Sequence, residues 1–178
     1  PSDGSVLIPK KGLVEVAKFL DSEGNVQIGI KDNNFIVKKE KETLIIRLLE
    51  GDFPEYGDII VKKGGHAIVM ERQPFLMMLK RMSILSSEDY KGVIFNFEKK
   101  QLGITSTNPD IGESKEEMKI DFNHEPIEAA FNPRYFIEAL NVIEQENVVL
   151  DLVNNEKPCI LTGEDEHNFI TVIMPMRV

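Results

Sequence analysis

The sequence predicts an α+β fold written three times over from one unit, a strand, a helix and three further strands. Three observations carry that expectation. Apolar residues recur at helical spacing in three places, each stripe follows a short apolar stretch of strand character, and each precedes two-residue alternation broken by turn residues. An amphipathic helix laid on an antiparallel sheet buries one face of each, which is the layered arrangement of α+β domains.

The first stripe is Leu13, Val16, Ala17 and Leu20, at i, i+3, i+4 and i+7; Phe75, Met78, Leu79 and Met82 repeat it, as do Phe136, Ala139, Leu140 and Ile143. The stripes start 62 and 61 residues apart, and this near-equal spacing with a matched register is the mark of an internal repeat. The stretches SVLIP, HAIVME and IEAAFN precede the three helices in turn. Pro74 suits a first helical turn and Asn132 suits an N-cap.

Behind the first helix, Val26, Ile28 and Ile30 alternate with polar residues, DNN turns the chain into FIVKK, and Leu44, Ile46 and Leu48 mark a third strand. Behind the second, GVIFNF, QLGITST and EEMKIDF are separated by EKK and by NPDIGES; behind the third, NVVLDLV, CILTG and NFITVIMP are separated by NNEK and EDEH. Two units side by side make a domain with two helices on one face and a continuous sheet on the other. Three units make one domain and a half.

The 178 residues, 42% of them hydrophobic, are ample for a buried core. The single cysteine, Cys159, cannot form an intramolecular disulfide, and with no charged-then-apolar leader the expected compartment is a reducing cytoplasm. No apolar run approaches the roughly 20 residues that cross a bilayer, so no membrane role is expected. His66, His124 and His167 stand without a cysteine or carboxylate pattern of zinc-site spacing. No phosphate-binding glycine loop, nucleophile elbow or dinucleotide fingerprint is present, so neither an enzyme nor a cofactor is expected.

A net charge of -9 argues on average against nucleic acid. The charge is unevenly placed, however. Residues 10–21 sum to +1, residues 72–83 to +3 with Arg72, Lys80 and Arg81, and residues 134–143 to zero, which leaves -13 for the rest of the chain. Exposed charges are screened over roughly 8 Å at physiological salt, so a basic helix face can coexist with an acidic body.

The ending NFITVIMPMRV is unusual for a final strand, because Pro175 removes a ladder donor and implies an edge or a strand that has stopped pairing. Flexible methionines beside such an apolar edge suit a surface that accepts varied ligands. These residues, with LLEGDFPEYGDII, LIPKKGLVEVAKFL, SILSSEDYKGVIF and LGITSTNP, resemble the bacterial DNA polymerase III beta subunit over the full length and in the family's order.

The resemblance implies the DNA clamp fold and a non-enzymatic ring of two subunits, each of three domains, with helices lining the central hole. It assigns residues 1–62 to the second half of the middle domain and 63–178 to the whole third domain. Its implied partners are double-stranded DNA held without base reading, the DNA polymerase III alpha subunit, the clamp loader and other proteins carrying a clamp-binding motif. Lys10 and Lys11 fall where the family places basic residues near DNA; Lys80 and Arg81 join them by helix position. The family's apolar peptide pocket corresponds here to Pro54, Ile59, Val172, Met174, Pro175, Met176 and Arg177, with Asp58 where some relatives carry a basic residue. Ile84 and Leu85 match the third-domain side of the subunit interface. The competing expectation is a repeat-type protein-interaction module that uses its apolar C-terminal edge as a docking groove and has no DNA role.

Overall fold

The computed structural model describes residues 5–53, 56–60, 64–85, 92–165 and 168–177, and it divides into a unit ending at Glu55 and a second unit beginning at Tyr56. The first unit holds α1 (Lys10–Phe19), β1 (Gln27–Lys31), β2 (Asn34–Lys39) and β3 (Glu42–Arg47). Its strands form an antiparallel sheet in the order β1-β2-β3. Asp32 and Asn33, at φ 49° and 61°, make the two-residue turn between β1 and β2, the left-handed pair that matches strand twist in a tight hairpin. Gly12 is the buried residue of α1: a Cβ there would stand 2.6 Å from Ile46 Cγ2, so glycine lets the helix settle on β3. Phe35, Val37, Ile46 and Leu48 form the small core, with Val16 and Phe19 packed against it.

The expected burial of the first stripe is corrected here. Leu13 is 49% and Leu20 41% exposed, because a single helix on three strands has no second helix to cover its flank. The expected strand SVLIP is likewise reduced to one bridge, Leu7 to Leu49.

The second unit runs α2 (Gly57–Ile60), β4 (His66–Glu71), α3 (Arg72–Met82), β5 (Val93–Glu98), β6 (Gln101–Asn108), β7 (Gly112–Lys119), β8 (Ile127–Phe131), α4 (Pro133–Val142), β9 (Asn147–Leu152), β10 (Cys159–Gly163) and β11 (Thr171–Ile173). Its two repeats exchange their first strands: β4 pairs with β9 of the other repeat, and β8 pairs with β5. The result is two antiparallel sheets, β11-β10-β9-β4 and β7-β6-β5-β8, in place of the single continuous sheet expected. They touch through a bridge from Met176 to Ala130. Strand exchange ties the repeats together, since separating them breaks both ladders.

In this unit the helical stripes behave as expected. Phe75, Met78, Leu79 and Met82 of α3, with Phe136, Ala139 and Leu140 of α4 and the following Ile143, are all buried in one core. α3 packs on α4, and the rings of Phe75, Phe95, Phe131 and Phe136 meet at 5.2–6.5 Å, mostly edge to face. Such rings dominate core energetics, and truncating one costs about 3–5 kcal/mol. Asn132 caps α4 by accepting from the Arg134 amide at 3.0 Å, and Pro133 follows it in the first turn.

Element boundaries shift in three places. β7 opens at Gly112, inside the expected turn NPDIGES, the expected last strand NFITVIMP contracts to Thr171–Ile173, and the short α2 was not foreseen.

Candidate functional site

The C-terminal tail is built by the residue that interrupts it. β11 pairs with β10 through Ile173, Val172 and Thr171, and then Pro175, lacking an N–H, ends the ladder. The chain crosses to the other sheet, where the Met176 amide donates to Ala130 O at 2.7 Å. Met176 Sδ lies 3.6 Å from the point where a Cβ on Gly92 would stand, so glycine leaves room for the thioether. This crossing spans the seam between the two sheets and forms one wall of a groove of about 860 Å³. Met174, Pro175, Met176 and Arg177 line it on that wall; Ile94, Glu128, Ala129 and Ala130 line it from β5 and β8, and Asn155 and Glu156 from the β9–β10 turn.

Val172 opens instead on a separate depression of about 290 Å³ lined by Tyr135, Glu138 and Ala139 of α4 and by Phe169 and Thr171. The structure thus gathers five of the expected tail residues around two neighbouring depressions. It adds Phe169 from the tail itself, and Tyr135, Ile94, Glu128 and Glu156, which no sequence signal near the tail could single out, since they come from distant elements. Ile59, on α2, is 40% exposed and lines neither depression. Pro54, His167 and the Asp58 side chain lie outside the described residues.

The basic helix residues sort by their partners. Arg72 donates from Nε to Gln145 O at 2.9 Å and from Nη1 to Leu140 O at 3.0 Å, satisfying one carbonyl in the last turn of α4 and one in the connection that follows it. Arg81 grips the Glu116 carboxylate of β7 with Nε and Nη2, the first contact at 2.6 Å. That fork holds the Glu116 carboxyl below the ordinary carboxylate range and raises the Arg81 guanidinium. Lys80 is exposed, and no ion pair joins it to a carboxylate among the described residues; the same holds for Lys11, while Lys10 is exposed on the first turn of α1. The count of +3 on α3 therefore overstates its unengaged charge. On its outer face, Met77 is 47% exposed one turn from Lys80 and Arg81.

Where α3 ends, Ile84 is 76% exposed and Leu85 is half-buried. Asn108 Nδ2 donates to Leu85 O at 3.0 Å, which places the end of β6 beside the helix end. β7 is the edge strand on that side of its sheet.

His66, at the start of β4, stacks on His124 with ring centroids 3.7 Å apart, and both meet Phe122 edge-on. Among the described residues, no group of three or more His, Cys, Asp or Glu is placed to hold a metal, and no helix is long and apolar enough to cross a membrane. The Cys159 thiol is buried and pushed up to about 12 by desolvation, an inert packing sulfur.

Comparison with known proteins supplies the frame. A family model described as the C-terminal domain of the DNA polymerase III beta subunit matches residues 58–177, and one described as its central domain matches residues 1–55. The Pseudomonas putida beta sliding clamp is 32% identical over 176 residues, covering 97% of this chain and 47% of that protein. The Chlamydia pneumoniae beta sliding clamp is 30% identical over 175 residues, covering 98% of this chain and 47% of its own length. The chain thus spans about half the length of the curated relatives it matches. Among solved structures, the DNA polymerase III subunit beta from Pseudomonas aeruginosa superposes with a TM-score of 0.84 at 29% identity, over 99% of this chain and 50% of that one. A sliding clamp from Bartonella birtlesii bound to griselimycin gives 0.85 at 26% identity, over 99% and 48%. With nearly every residue taken up by two domain matches in family order, and with its antiparallel sheets and paired helices superposing on solved clamps, the chain carries the clamp fold and belongs to the DNA polymerase III beta subunit family.

Proposed function

We propose that this chain forms the C-terminal half of a processivity clamp, which slides on duplex DNA and tethers DNA polymerase and other replication and repair proteins through an apolar peptide pocket. The first unit supplies the second half of the middle domain and the second unit the third domain. The observation that carries the reading is the tail: a proline-interrupted last strand crosses the sheet seam and exposes Met174 at 58% and Met176 at 38% over a groove. Flexible thioethers adapt to varied side chains, so one groove can serve several partners in turn.

In this reading Lys10, Lys11 and Lys80 meet phosphates without reading bases, which leaves the protein able to slide. Arg81 joins them only by giving up Glu116. Ile84, Leu85 and the open edge of β7 form one side of the subunit interface, where an unpaired strand calls for a partner. Val172, Met174, Pro175, Met176 and Arg177 form the peptide site, and the polymerase alpha subunit and the clamp loader are its occupants. The chain works in the cytoplasm and does no chemistry of its own.

The test is capture of a peptide. A fluorescein-labelled peptide with two leucines and a phenylalanine should bind the 178-residue chain, and Met174→Ala should weaken it about tenfold, the equivalent of ~1.4 kcal/mol of lost apolar contact. Equal affinity for the two proteins would remove the tail from the site.

A further inference from the structure

The charge around the groove bears on what it takes. Glu128, Glu156 and Arg177 are its charged lining, and all three are exposed. Glu128 is fixed by the pairing of β8 with β5, opposite Asn96. Glu156 is fixed by a turn in which Asn154 Oδ1 accepts from the amides of Glu156 at 3.0 Å and Lys157 at 2.9 Å. Among the described residues, no ion pair or hydrogen bond engages either carboxylate. The apolar strip of Met174, Pro175 and Met176 lies in the same groove.

Two unengaged carboxylates outnumber the one guanidinium, on a chain whose net charge is -9. Beside an apolar wall the effective dielectric falls below that of water, so each carboxylate attracts a cation and repels an anion more strongly than it would on an open surface. Long basic side chains also suit such a place, because their methylene stems lie along apolar surface while the charge reaches outward. A second copy of this acidic chain is a poor occupant for the same reason.

Resting on the peptide-capture reading above, we infer that the segment this groove accepts is cationic beside its apolar anchors: a short stretch with a lysine or arginine next to leucine- or phenylalanine-sized side chains, the cation meeting Glu128 and Glu156. The anchors supply most of the grip. The basic residue sets which partner segments are preferred and how the preference responds to salt.

The test uses three fluorescein-labelled peptides with the same two leucines and phenylalanine, differing only in a lysine, an alanine or a glutamate directly before the anchors. At about 50 mM salt the lysine peptide should bind the 178-residue chain about fivefold more tightly than the alanine peptide, and the glutamate peptide about fivefold less tightly. Both ratios should shrink toward one at about 0.5 M salt. In the chain carrying Glu128→Gln with Glu156→Gln, the lysine-to-alanine ratio should fall to about one. Equal affinities for the three peptides, or a lysine preference that the double variant keeps, would overturn the inference and leave apolar capture standing. Failure of all three to bind would overturn the capture reading and this inference with it.

Discussion

Replacing Arg72 with alanine separates structural charge from DNA-facing charge. By position in the sequence this arginine belongs to the most basic helix, yet its guanidinium is spent on Leu140 O at 3.0 Å, in the last turn of α4, and on Gln145 O at 2.9 Å, in the connection that follows it. Hydrogen bonds from charged donors contribute about 1.5–3 kcal/mol each when buried; the half-buried setting of Arg72 brings this down to about 1–1.5 kcal/mol each, or about 2–3 kcal/mol for the two together. Unfolding a unit of this size carries an entropy of about 0.25 kcal/mol per kelvin at roughly 2.1 cal/mol per kelvin per residue, so Arg72→Ala should lower the melting temperature of the second unit by about 8–12 °C. Calorimetry of the 178-residue chain reads this directly. In a DNA-binding titration the same variant should keep the wild-type salt dependence, whereas Lys80→Ala should leave the melt unchanged and reduce the logarithmic salt slope by about one. An Arg72→Ala protein that melts like the wild type but loses a unit of salt slope would refute the assignment.

Two other outcomes follow from the same structure. Glu116 is held below the usual carboxylate range first by the Arg81 hydrogen bonds and then by its charge, against some burial. Its contribution is therefore complete above the unfolded carboxylate value and is lost as pH falls through the depressed one, so wild type should lose more melting temperature than Glu116→Gln between about pH 5 and pH 3. Parallel acid limbs would show that the pair adds nothing to stability. In the first unit, Leu13 on α1 and Leu20 just past its end are each nearly half exposed. Sedimentation at high protein concentration should show self-association that Leu13→Glu with Leu20→Glu weakens about tenfold, while a strictly monomeric wild-type chain would contradict this.

What the sequence made legible was whatever depends on near neighbours. Phe75, Met78, Leu79 and Met82, and Phe136 through Ile143, announced buried helix faces because the 3.6-residue period is itself the packing surface. The same period at Leu13 through Leu20 gave the helix but not its burial, since burial needs a second helix that this unit lacks. β7 was read short because Glu113, Ser114 and Lys115 lie on an edge strand with an exposed face and show no apolar alternation. The exchange of β4 and β8 between repeats rests on pairings between residues far apart in sequence, such as Glu71 with Asn147 and Val93 with Phe131, which no local pattern encodes.

At the candidate site the division is the same. Pro175 and the flanking methionines declared an interrupted strand. Ile94, Glu128, Asn155 and Glu156 did not declare a groove, because three separate elements bring them there. Charge counting was blind to partners, which is why Arg72 and Arg81 entered a basic face that the fold largely takes up in ion pairing and helix capping.

Methyl NMR of the methionines offers the most direct measurement, because the two working surfaces each carry their own reporters. Met77 stands on the exposed face of α3 near Lys80, Met174 and Met176 stand on the groove, and Met70, Met78 and Met82 are buried controls. Duplex DNA at low salt should shift Met77 and leave the tail methyls in place, while the apolar peptide should shift Met174 and Met176 and leave Met77 in place. Both ligands moving the same methyls, or DNA moving only the tail, would contradict a clamp that holds its duplex on the helix side and its partners at the sheet seam.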